Sequence, residues 1–239
     1  MKLFRNARFF WVYPLAVALF ATASTSETSL RLGVILVFLG EAVRVWADGY
    51  VGHVKVNAKQ PWRQDQQSGH LITAGPYAYV RHPLYVGTFL IGVGFSIAAR
   101  SLPLAVASLA FFLLVYPKKA RREEQLILQE WGADYASYQT LVPRWWPTFR
   151  RYPSPHGQWS WQGIRASKEW KTLLWVIVAL LAIYLWEEWF HEREIFTDAQ
   201  WVKQTILVGL IVVLVASDGI IELVSRSGAA KKYSGAKPI

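Results

Sequence analysis

Apolar residues gather into six long runs: Phe9–Ala23, Leu30–Ala47, Leu84–Ala99, Leu102–Tyr116, Thr172–Trp186 and Thr205–Val224. None alternates with the period of a half-buried strand, and their length suits helices. Most fall short of the roughly 20 residues that a perpendicular membrane helix needs. Aromatic flanks such as Phe9, Phe10, Trp11, Trp46, Tyr116 and Trp186 extend them into the interface. Only Arg100-Ser101 separates the third run from the fourth, and Pro103 stands where a helix tolerates it, at its start. The pattern therefore predicts an all-α, polytopic membrane protein of about six transmembrane helices, with a tight hairpin at its middle.

The polar positions between the runs predict an orientation. With the N-terminus cytoplasmic, 21 of the 26 Lys and Arg fall on the cytoplasmic side and only Arg31, Arg100, Arg193 and Lys203 on the other, Arg44 lying within a run. Both termini are then expected in the cytoplasm. The outer loop carrying Glu187, Glu188, Glu192, Glu194 and Asp198 agrees. The first run has a basic start (Lys2, Arg5, Arg8), like a secretion signal. Because further spans follow directly, it reads as an uncleaved first helix. Five segments are expected: membrane helices over 1–41, a core over 42–150, a Trp-rich interfacial stretch over 151–171, a helix pair over 172–224 and a basic tail, disordered from Ser225, to 239. Ala120–Trp131 consists of good helix formers, with Gly132 as its stop.

Composition narrows the function. The chain is 53% hydrophobic with 13 Trp and a net charge of +10. The basic residues sit between apolar segments, so a bilayer explains them and nucleic-acid binding does not. The absence of cysteine excludes disulfides, thiolate metal sites and cysteine nucleophiles. No histidine pair has zinc-ligand spacing, so no metal is expected. Nothing fixes the oligomeric state.

Two polar strings flank the hairpin and hold the candidate chemistry. The first is Gly75-Pro76-Tyr77-Ala78-Tyr79-Val80-Arg81-His82-Pro83-Leu84-Tyr85-Val86-Gly87. Pro83 disfavours helical backbone at His82 and can itself open a helix, which sets Arg81 and His82 at a membrane helix's mouth, a site suited to an anion. For Arg81 alone, a basic anchor at the headgroups explains as much. The second string is Glu123-Glu124, then Gly132, Tyr135, Tyr138, Pro143 and Pro147. Adjacent glutamates diverge by about 100° on a helix, so one can face a pocket while the other pairs with Lys119 or Arg121. Taken singly, each also fits a solvated charge run snorkelling near headgroups. Tyr135 and Tyr138 share a helical face and equally suit an interfacial anchor. Gly92-Val93-Gly94 permits close helix packing or close approach of a ligand. Glu41, Arg44 and Asp48 are spaced to pair on one helix face or to meet an anionic substrate group. The roles of Trp46, Gly49 and His53 stay open.

From about Ala42 to Pro147, GPYAYVRHPLYVG, then GVG, then EEQLILQEWGADYASYQTLVPRWWP resembles the isoprenylcysteine carboxyl methyltransferases and their phospholipid N-methyltransferase relatives. The resemblance implies a helical membrane enzyme whose S-adenosylmethionine pocket is capped by cytoplasmic loops, with a lipid or lipidated acceptor entering sideways between helices. It assigns the cofactor to Tyr79, Arg81, His82, Pro83, Tyr85, Gly92, Gly94, Glu123, Glu124, Tyr135 and Tyr138. Arg44, Trp46 and Lys119 are carried as substrate-binding candidates, although eukaryotic protein-methylating members have Arg where Lys119 stands. No catalytic residue is assigned. The Trp-rich stretch and the last two spans depart from the usual core. Two rival readings remain: a sterol-type reductase using NADPH, and a membrane scaffold without catalysis.

Overall fold

The computed structural model describes residues 22–51, 71–167, 169–190 and 198–234. These residues form six α-helices: α1 (Glu27–Val51), α2 (Pro83–Ala98), α3 (Leu102–Leu141), α4 (Trp161–Ser167), α5 (Glu169–Phe190) and α6 (Asp198–Ser234). A 3₁₀ turn at Gly75–Ala78 precedes α2. The first predicted span lies almost wholly outside the described residues.

Among the described residues, three helices are long and apolar enough to cross a membrane: α3, α5 over Glu169–Trp186, and α6 over Gln200–Ile220. α2 is apolar but has only 16 residues, and α1 interrupts its apolar run with Glu41, Arg44 and Asp48. The helical class agrees with expectation, and among the described residues length and composition support three of the expected spans. Large apolar side chains on α3 (Leu102, Val106, Leu109, Phe111, Leu113, Leu114) and α6 (Trp201, Ile206, Val212, Val213) are exposed, as suits faces that meet lipid.

Residues divide into two compact units, 1–172 and 173–239. In the first, the most extensive helix contact is between α1 and α2. Small residues make it possible. A Cβ on Gly33 would lie 2.6 Å from the Ala98 nitrogen and the Gly94 carbonyl, and one on Gly40 would lie 2.6 Å from the Gly87 carbonyl. Backbones approaching this closely are the usual means by which helices associate in lipid.

The predicted hairpin forms at Ala99-Arg100-Ser101. Ser101 caps α3 by accepting from the Leu104 amide at 3.2 Å. α2 and the apolar part of α3, up to Tyr116, are nearly equal in length. The polar extension of α3 beyond Tyr116 therefore returns to the level of His82, where α2 began. Gly132, with φ +42°, breaks the helical path without ending the helix, and residues 133–141 continue in a new direction. Only glycine adopts that backbone without strain.

After α3 the chain doubles back as a strap over the Gly75–Arg81 turn. The Arg81 amide donates to the Pro143 carbonyl (2.9 Å), Thr148 to Tyr79 (2.9 Å), Tyr152 to Ala78 (3.0 Å) and Thr73 to His156 (2.9 Å). Pro143 and Pro147 favour this extended path.

In the second unit, Trp189 Nε1 donates to Gln204 Oε1 at 2.5 Å, and Lys203 to Glu188 at 2.8 Å. α6 runs to Ser234, past Ser225 where a disordered tail is predicted. The segment has Ala and Lys, both good helix formers, and no proline before Pro238.

Candidate active site

Backbone chemistry sets the first string in place. Pro83 is the first residue of α2, and His82 before it takes φ −124°, ψ 62°, outside the helical region. The His82 ring is thereby turned back under the turn, where it is fully buried. Its Nε2 lies 3.0 Å from Glu124 Oε1, and its Nδ1 3.8 Å from Glu123 Oε2. The two polar strings, 42 residues apart in sequence, meet at this contact.

Glu124 is the hub. Arg81 Nη1 (3.0 Å), Arg144 Nε (3.0 Å) and Arg144 Nη2 (2.5 Å) converge on its carboxylate beside His82. Burial alone would raise its pKa. The hydrogen bonds from His82 and Arg144 and the Arg81 charge outweigh burial and hold it down at about 2. Glu124 lies in the polar extension of α3, two turns past Tyr116. Glu123, diverging from it, accepts from the Tyr85 hydroxyl at 2.5 Å. Lys119 Nζ sits 4.9 Å above the Tyr85 ring. Arg81, Lys119 and Arg144 thus face two carboxylates, leaving one positive charge in excess. Arg81 Nε is buried and finds no hydrogen-bond partner among the described residues.

An aromatic wall adjoins the cluster. His82 stacks on Tyr85 (centroids 5.2 Å apart), Tyr85 meets Tyr116 (4.8 Å), Tyr116 stacks on Phe112 (5.0 Å), and Trp145 touches both His82 and Phe112 (5.6 Å each). Phe112 and Tyr116 also line an apolar cavity of ≈ 580 Å³ between α2 and α3, together with Thr88, Gly92, Ser108 and Leu109. A polar cluster and a lipid-sized chamber therefore share one wall.

The candidates separate on this geometry. Arg81, His82, Tyr85, Lys119, Glu123 and Glu124 come together, with Pro83 setting the backbone. Tyr79 lies in the strapped turn, its carbonyl bound to Thr148. Tyr135 and Tyr138 are buried in a separate core with Leu71, Ile127 and Val142, and the Tyr138 hydroxyl donates to the Tyr77 carbonyl at 2.7 Å. They brace the loop from behind. The glycine pair divides. Gly94 packs on Val37 and Gly33 of α1, whereas Gly92 faces Ser108 and the chamber, roughly 14 Å along α2 from His82. Trp46 is exposed. Arg44 stands apart, its Nε 2.5 Å from Glu169 and its Nη1 2.6 Å from Thr88. Among the described residues, no three His, Asp or Glu side chains are grouped so as to hold a metal.

Arg144, Trp145, Thr88 and Glu169 are not singled out as site residues by the sequence, and Tyr116 stands out there only as an aromatic flank. For Arg144 and Trp145 the available signal was a basic–aromatic pair locked between Pro143 and Pro147. Thr88 and Tyr116 look like ordinary span residues until α2 and α3 are paired.

Residues 28–134 match the family model for phospholipid methyltransferase. Among similar proteins, the cobalt-zinc-cadmium resistance protein CzcN of Cupriavidus metallidurans is 29% identical over 136 residues, covering 57% of this chain and 56% of the relative. The nickel-cobalt-cadmium resistance protein NccN of Alcaligenes xylosoxydans xylosoxydans is 28% identical over 129 residues, 54% of each. The protein-S-isoprenylcysteine O-methyltransferase of Saccharomyces cerevisiae is 28% identical over 129 residues, 52% of this chain and 51% of the relative. The chain spans about half the length of these relatives. The matched residues 28–134 hold nearly all of α1, together with α2, the hairpin and the twin glutamates, and this part of the chain is similar to the phospholipid methyltransferases and the isoprenylcysteine O-methyltransferases.

Proposed function

We propose that this chain is an integral-membrane methyltransferase that uses S-adenosylmethionine and acts on an amphipathic acceptor, a lipid or a lipidated molecule. The observation that carries the reading is the His82–Glu124 contact, which closes a charged cluster directly against an apolar chamber. A scaffold has no need of four donors on one buried carboxylate. The distribution of Lys and Arg supports a cytoplasmic position for the cluster.

The residues present suit the cofactor. S-adenosylmethionine supplies an electrophilic methyl on a sulfonium with a neutral thioether as leaving group. Its carboxylate calls for a cation, and the excess positive charge with the buried, unpartnered Arg81 Nε provides one. Ribose hydroxyls call for an acceptor-only group, and Glu123 accepts from Tyr85 at one oxygen while His82 Nδ1 stands 3.8 Å from the other, leaving acceptor capacity. The faces of Tyr85 and Trp145 suit a sulfonium by cation–π attraction. Glu124 acts as the anchor that keeps Arg81, His82 and Arg144 in position.

The acceptor's apolar part is assigned to the chamber. A carboxylate acceptor needs no base, so the work of the protein is alignment and exclusion of water. An amine acceptor must first lose a proton, and His82 or Glu123 is placed to receive it. Turnover against pH separates the two: a carboxylate acceptor gives a flat profile through neutrality, an amine a rising one. Titration of purified protein with S-adenosylhomocysteine and with NADPH tests the cofactor. Binding of NADPH alone would transfer the reading to a reductase, and binding of neither to a scaffold. Labelled-methyl transfer into a lipid and membrane-protein extract identifies the product.

A further inference from the structure

Arg44 lies within the second apolar run, on α1, and its surroundings are unusual. Its side chain passes over α2 at Gly87, where a Cβ would lie 2.5 Å from Arg44 Cγ. The guanidinium then reaches Thr88 Oγ1 at 2.6 Å. Thr88 and Tyr116 line the polar end of the chamber, with the Tyr116 hydroxyl beside Thr88. An oxyanion at this end of the chamber would meet Arg44, held there by Thr88, and the Tyr116 hydroxyl as donors; Thr88 itself donates to the Leu84 carbonyl at 2.9 Å, and the other lining cation, Arg100, lies at the hairpin end of α2. That place is filled from within. Glu169 sets its carboxylate 2.5 Å from Arg44 Nε and is almost fully buried there.

Two features argue that Glu169 is exchangeable. Arg44 also feels the charge of Asp48 on its own helix, so Glu169 is not its sole counter-charge. Glu169 is also the first residue of α5, where a carboxylate is stabilised by the helix dipole even without Arg44. Exchanging Glu169 for an incoming anion keeps the local charge constant, which is the condition for an inexpensive swap in a buried site. Glu169 lies beyond the family match, which ends at residue 134.

We propose that Arg44, positioned by Thr88, and Tyr116 form an oxyanion subsite for the acceptor's carboxylate or phosphate, and that Glu169 is the internal carboxylate that occupies it until the acceptor arrives. The inference takes the acceptor's role from the methyltransferase reading, but its test does not require turnover. Purified protein in zwitterionic nanodiscs is titrated with radiolabelled laurate, dodecyl phosphate and dodecanol, with empty nanodiscs subtracted. Glu169→Gln is expected to tighten laurate or dodecyl phosphate about tenfold, the scale of a hydrogen bond to a charged group, and to leave dodecanol unchanged. Whichever anion gains more identifies the head group. Adding Arg44→Gln removes the gain. Equal affinity of both anions for wild type and Glu169→Gln, with dodecanol still bound, overturns the proposal. Should Glu169→Gln fail to fold, Glu169→Asp, one methylene shorter, is expected to give a smaller gain of about threefold, and no gain there overturns it equally. S-adenosylhomocysteine is titrated alongside. An anion gain without its binding defeats the methyltransferase reading and leaves the subsite standing; its binding without an anion gain does the reverse.

Discussion

Replacing Glu124 by Gln tests the site at its hub. The substitution keeps shape and removes charge, so Arg81, Arg144 and His82 lose their shared counter-ion in a buried place. A carboxyl moved from its ordinary 4.5 to about 2 stabilises the folded state by roughly 3 kcal/mol when ionised. Because the folded-state value is the lower one, this contribution is complete above about pH 4.5 and is lost as pH falls to about 2. The assay is reversible unfolding in detergent, wild type against Glu124→Gln, from pH 7 down to pH 2. At pH 6 the variant is expected to be about 3 kcal/mol less stable. The gap should close toward pH 2, since a protonated Glu124 is nearly the neutral isostere of Gln. Other carboxylates titrate in both proteins, so the difference isolates this one. A gap below about 1 kcal/mol at pH 6, or one that does not change with pH, refutes the picture of a charge-holding hub.

Tyr85→Phe removes the hydroxyl donated to Glu123 and is expected to weaken S-adenosylhomocysteine about tenfold by calorimetry; an unchanged Kd excludes this pair from the site. Gly94→Ala drives a Cβ to 2.7 Å from Val37 and 2.8 Å from the Gly33 carbonyl, costing about 1–3 kcal/mol in thermal unfolding. Gly92→Ala meets only Ser108, at 3.7 Å, so stability should hold while acceptor affinity falls, which a KM measurement resolves. Gly132→Ala forces a side chain into φ +42° and is expected to cost about 1–2 kcal/mol with no new clash, read as a lower unfolding midpoint.

Some of the site was legible because its causes are local. Pro83 acts on the residue before it, so the position of His82 at a helix mouth follows from two adjacent letters. The hairpin follows from two apolar runs with almost nothing between them. Equal run lengths then return Glu123-Glu124 to the level of His82. Other assignments needed neighbours. Gly92 and Gly94 read as one motif, yet an α-helix turns them to different partners, and only the packing of α1 on one side and α3 on the other tells them apart. Tyr135 and Tyr138 were legible as a shared face, but whether that face met membrane, ligand or core depended on the strap laid over it.

Periodicity, proline positions and the placement of Lys and Arg are short-range properties, and they determined by themselves a helical membrane protein with two polar strings meeting across a hairpin. Tertiary structure alone decided which cations close on Glu124, that Arg144 and Trp145 arrive with the returning strap, and that Glu169 reaches Arg44 from 125 residues away. Such contacts depend on where separate segments stop in space, to within an ångström or two, and no pattern along the chain encodes that distance.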